Sequence, residues 1–104
     1  MTGDCYIVAA HLVVEDFTGE LVLVHGWPTL QCPPFERYGH AWVETPDGLV
    51  IDRSNGRVVT MPAAVYYALG CIEQEECARY TREETLARLL EHEHYGPWEE
   101  PASS

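Results

Sequence analysis

Gly39-His-Ala-Trp-Val-Glu-Thr-Pro-Asp-Gly-Leu-Val-Ile-Asp-Arg53 is the stretch on which the reading of this chain turns. Residues suited to strands flank Pro46-Asp47-Gly48 on both sides, a pattern that predicts a hairpin with a tight loop. If Gly48 supplies the left-handed conformation of a three-residue loop, Thr45 faces Leu49. Stepping outward, Glu44 faces Val50, Val43 faces Ile51 and Trp42 faces Asp52. In that register His40, Trp42, Val50 and Asp52 share one face, and Asp52 is diagonal to His40, within side-chain reach. A one-residue slip would separate them. The other face carries Ala41, Val43, Leu49 and Ile51, so the sheet is apolar enough to be covered on both sides. Asn55-Gly56 then turns the chain into Arg57-Val-Val-Thr60, which makes the unit a three-stranded antiparallel meander.

Working outward, Asp4-Cys-Tyr-Ile-Val-Ala-Ala-His-Leu-Val-Val-Glu15 is apolar on nearly every side and suits a helix buried in the middle of a domain. Its β-branched residues leave a strand open, but Asp4 as N-cap and the stop signal at Asp16 to Gly19 favour helix, with Cys5 in the first turn. Glu20-Leu-Val-Leu-Val-His25 is a short β-rich run. Gly26 to Gly39, with Pro28, Pro33 and Pro34, reads as a structured and functional loop that ends at His40. Downstream, Thr60 to Gly70 predicts a short helix capped by Thr60, anchored by Tyr66 and Tyr67 and ended by Gly70. The run Glu73 to Glu76 reads as a solvated face. Thr81-Arg-Glu-Glu84 is a capping box that opens a last helix carrying Leu86, Leu89 and Leu90 as an apolar stripe, with Gly96-Pro97 as its end. Residues 99–104 are expected to fray.

The chain has 104 residues, 46% of them hydrophobic, enough for one domain with a single modest core. It has no apolar run of membrane-spanning length and no basic-then-apolar start, so the expectation is a cytoplasmic protein without a membrane segment. The net charge of −11, with six arginines and no lysine, sets the surface against nucleic-acid backbones and toward a basic protein or peptide partner or simple solubility. Cysteines at 5, 32, 71 and 77 include no CxxC pair, which argues for reduced thiols rather than a disulfide framework or a zinc site.

A thiol becomes a strong nucleophile when ionised, and a helix N-terminus and a nearby imidazole both favour that form. Cys5 has the first by position, and His40 offers the second. A carboxylate on the neighbouring strand, Asp52, would hold the imidazole in one orientation. Gly-Asp-Cys-Tyr at 3–6, Gly-His-Ala-Trp-Val-Glu at 39–44 and Val-Ile-Asp-Arg-Ser-Asn at 50–55 occur in an order that resembles a trimmed papain-like or transglutaminase-like core. The same pieces resemble small bacterial and phage proteins. The resemblance covers roughly residues 3–70 and, with the C-terminal helices read above, gives the expectation of an α+β fold: a central N-terminal helix packed on a small antiparallel sheet, followed by C-terminal helices. It implies Cys5 as nucleophile, His40 as general base and acid, and Asp52 as orienting group, with no cofactor or metal. Hydrolysis of an amide or peptide bond through a thioester is the expected activity; peptidase, amidase, deamidase and transglutaminase are not separated.

The sequence departs from that pattern upstream of the cysteine, where only four residues stand in place of an oxyanion glutamine or tryptophan. The backbone N–H of Cys5 is one candidate donor; Gln31 and Trp27, from the proline-containing loop, are others. Trp42 reads as core or as the wall of a substrate groove. His25 reads as structural, with substrate or transition-state contact as the alternative. Two readings from other classes stand beside the enzyme: a non-catalytic acidic binding protein, and a zinc protein assembled from Cys and His in space.

Overall fold

A computed structural model describes residues 4–29, 35–54 and 56–98 of the chain. The expected frayed tail at 99–104 lies outside the described residues, as does Gln31. The fold is α+β. Helix α1 (Cys5–Glu15) is followed by β1 (Val22–Gly26), β2 (His40–Glu44), β3 (Leu49–Ser54) and β4 (Arg57–Pro62). Then come α2 (Ala63–Gly70), a 3-10 turn (Gln74–Glu76), β5 (Ala78–Tyr80) and α3 (Arg82–His92). The strands form one antiparallel sheet in the order β4-β3-β2-β1-β5.

The hairpin forms in the register its loop dictates. Val43 pairs with Ile51 and Glu44 with Val50, Thr45 N–H donates to the Leu49 carbonyl at 2.9 Å, and Gly48 has φ of +86°. Alternation then sorts the core into two layers. Leu23, Ala41 and Val43 pack with Cys5, Ala9 and Val13 of α1, with Ile51 against them. Val24, Trp42 and Val50 pack on the opposite face with Tyr67 of α2 and Ile72. Glu44 closes the second layer: its Oε2 accepts from Trp42 Nε1 at 3.2 Å and from the Tyr67 hydroxyl at 2.5 Å, while Arg79 donates to that hydroxyl at 2.7 Å. A buried indole with its N–H satisfied is a strong anchor.

Several boundaries differ from expectation. Asp4 holds the N-cap position of α1 without a side-chain cap bond. Asp16, at the other end, ties down the turn into β1 by accepting from the N–H groups of Thr18, Glu20 and Leu21 and from the Thr18 hydroxyl. Thr60 is not a helix cap: β4 continues its pairing with β3 through Pro62, opposite Leu49, and α2 starts at Ala63. The capping box forms as read, with Glu84 N–H donating to Thr81 Oγ1 at 3.1 Å and Thr81 N–H donating to Glu84 Oε1 at 2.9 Å. However, α3 stops at His92 because Glu93 turns left-handed, ahead of Gly96. Leu90 is 81% exposed, and Thr85 rather than a full leucine stripe is buried. No helix among the described residues is long and apolar enough to cross a membrane.

Candidate active site

Helix α1 starts at Cys5, so this residue sits where N–H groups lack intrahelical acceptors and the helix dipole is positive. Its side chain is in the α1 core layer, and the residue is only 7% exposed. His40 opens β2 and pairs across the sheet with Gly26. Immediately before it, Gly39 passes under a close cover: a side chain at 39 would meet the Tyr6 hydroxyl at 2.5 Å and the Trp27 ring at 3.0 Å. Glycine therefore lets β2 begin beside the first turn of α1. That approach sets the strand end that bears His40 beside the first turn of α1, where Cys5 stands.

His40 Nε2 lies 2.9 Å from Asp52 Oδ2, and the same oxygen accepts from the Tyr66 hydroxyl at 2.6 Å. Burial alone would push the imidazole pKa down, but hydrogen bonding and charge from Asp52 and from the Cys5 thiol outweigh it and push His40 up to about 9. At neutral pH the ring is then cationic and donates Nε2–H to the carboxylate. Asp52 balances the opposite way: burial raises its pKa, yet His40, Tyr66 and Arg57 together hold it below the ordinary carboxylate value. Tyr66 is pushed well above the phenol range by desolvation first and by its bond to Asp52 second, so it remains a proton donor.

His40, Asp52 and Tyr66 form part of the wall of a cavity of about 260 Å³, completed by Tyr38, Met61 and Leu69 among others. Tyr38 and Leu69 at this cavity are 42% and 60% exposed. Arg37, next to Tyr38, donates from Nε to the Trp27 carbonyl at 3.3 Å and pairs with Glu76. Thr29 N–H donates to the Gly70 carbonyl at 2.9 Å, which joins the loop to the end of α2. The run Glu73–Glu76, read as a solvated face, thus contributes one clamping residue.

The remaining sequence candidates separate. Trp42 is fully buried, with its ring 6.1 Å from that of His40 and 5.1 Å from that of Tyr66; it supports both from beneath. Trp27 stands at Gly39, near the first turn of α1. His25 lies on the α1 face, 2% exposed, ringed by Tyr6, Tyr80 and Trp98 at centroid distances of 4.8, 5.2 and 5.0 Å. Desolvation pushes its pKa down to about 4, and neither ring nitrogen has a hydrogen-bond partner among the described residues. It is enclosed away from the cavity that His40 lines. Among the described residues no three His, Cys, Asp or Glu side chains gather as a metal site.

The member that sequence reasoning missed is Tyr66, which reads only as an anchor of the short helix. Nothing local marks it, because its partner is 14 positions away on another element. Comparison of the chain with protein-family models, with curated proteins and with solved structures gives no match.

Proposed function

We propose that this protein is a cysteine-dependent acyl-transfer enzyme on a papain-like or transglutaminase-like core, with hydrolysis of an amide or peptide bond as its reaction. One observation carries the reading: His40, on the strand that begins beside the helix start bearing Cys5, has its Nε2 held by Asp52 at 2.9 Å. With Nε2 engaged, Nδ1 is the nitrogen left for sulfur. His40 already holds the proton that the sulfur gives up, so the thiolate attacks the carbonyl carbon, forming the S–C bond while the π pair moves to oxygen. Collapse breaks the C–N bond as His40 gives its proton to the leaving amine. Water then attacks the thioester as His40 takes its proton, and the S–C bond breaks to release the acid, leaving the thiolate beside protonated His40. The backbone N–H of Cys5 is the oxyanion donor supported by its position at the helix start. The acidic chain favours a basic protein or peptide as substrate.

Competitive alkylation tests this. Cys71 is exposed and Cys5 is buried, so access alone would make Cys71 react first. The expected result is iodoacetamide labelling of Cys5 at pH 7 at least about tenfold faster than of Cys71 or Cys77, as for a base-paired thiol, with the advantage lost in His40→Ala. Slower or equal labelling of Cys5 would reject the enzyme. It would favour the second reading, a non-catalytic acidic binding protein, which the low exposure of Cys5 and the net charge of −11 both support.

A further inference from the structure

The Asp52 carboxylate carries both of its donors on one oxygen. Oδ2 takes His40 at 2.9 Å and Tyr66 at 2.6 Å, while Oδ1 is buried without a hydrogen-bond partner among the described residues. An ionised carboxylate has about four lone-pair sites over two oxygens, so crowding two donors onto one of them is a feature of how the elements are placed. Tyr66 reaches Asp52 from α2 with its ring 5.1 Å from that of fully buried Trp42. The hydroxyl is therefore aimed by packing.

We propose that Tyr66 is a positioning residue for the Cys5–His40–Asp52 site: its hydroxyl locks the rotation of the Asp52 carboxylate so that Oδ2 holds His40 and the imidazole turns its other nitrogen to Cys5. Its catalytic meaning rests on the proposed acyl transfer; its effect on His40 does not. Bonding to the ionised form keeps Asp52 charged to lower pH. The phenol never adds a competing negative charge, because its desolvated hydroxyl keeps its proton.

Tyr66→Phe keeps the ring against Trp42 and removes only the O–H. In this variant the Cys5 alkylation rate at pH 7 should fall about three- to tenfold against Cys71 in the same molecule, the scale of one hydrogen bond. The acid limb of the rate profile should move to higher pH, and the His40 midpoint, read by NMR of the ring, should shift. In an Asp52→Ala background, which removes the acceptor, the same substitution should add nothing, since Tyr66 acts through that carboxylate. Unchanged rates and midpoints would overturn the proposal, and so would an undiminished effect in the Asp52→Ala background, which marks packing alone. The wild-type protein gives an independent reading: a slowly exchanging Tyr66 hydroxyl proton that disappears as Asp52 is protonated. Its absence at neutral pH overturns the proposal without any variant. If wild-type Cys5 is no more reactive than Cys71, acyl transfer fails, while the His40 midpoint in Tyr66→Phe still decides the role of Tyr66.

Discussion

At the scale of single residues the site is a balance of burial against pairing. His40 loses hydration, which by itself favours the neutral ring, and recovers more than that loss from Asp52 and Cys5. Asp52→Asn separates the contributions because it preserves shape and one acceptor oxygen while deleting the charge. The His40 midpoint should then fall from about 9 toward its ordinary value of 6.5 or below, as burial becomes the dominant influence. Titration of the ring by NMR checks this, and a midpoint that stays near 9 would mean that Cys5 rather than Asp52 holds the proton. His40 and Asp52 were legible as a pair for a simple reason. A two-residue periodicity and a loop whose glycine must be left-handed fix which side chains meet across a hairpin.

Elements were legible where local chemistry decides them and obscure where pairing does. The capping box Thr81–Glu84 forms because both of its bonds lie within one turn. Thr81→Ala should cost about 1 kcal/mol, the usual worth of such a cap, and lower the melting temperature by about 4–8 °C for a domain of this size; a shift under about 1 °C in thermal unfolding would show that α3 is held by its packing alone. By contrast, Thr60 resembles a cap until its strand is seen paired to β3 as far as Pro62, where β4 gives way to α2 at Ala63. Strand β5 was invisible for the same reason. Its three residues Ala78-Arg-Tyr80 owe their conformation to β1 beside them, Tyr80 opposite Leu23 and Ala78 opposite His25. Helix α2 carries the consequence for function. Two adjacent phenols, Tyr66 and Tyr67, bond to Asp52 and Glu44 on the same sheet face, so the helix is pinned to the site at two points. Side-chain bonds between distant elements have no local signature, which is why Tyr66 could be read only as packing.

For the whole molecule, two histidines, His25 buried and His40 half-buried, pull stability in opposite directions with pH. His40 has its pKa raised to about 9 in the fold, so its contribution is complete below the unfolded value of 6.5 and is lost as pH rises through 9. His25 has its pKa lowered to about 4 by desolvation, so the unfolded chain binds the extra proton first, and stability is lost as pH falls from 6.5 through 4. Asp52, with a lowered pKa, adds a further loss at the acid end. The fold should therefore be most stable near pH 6.5 and weaken on both sides. On the acid side the His25 share is on the order of 3 kcal/mol, since each tenfold loss of proton affinity on folding corresponds to about 1.4 kcal/mol. His25→Leu, close in volume and without ring nitrogens to hydrate, should remove that share while leaving the alkaline decline from His40 in place. Urea unfolding at pH 4.5, 5.5 and 6.5 decides it. A flatter acid limb in the variant is the expected outcome, and an acid limb as steep as that of wild type would mean that groups other than His25 bind the extra protons on unfolding.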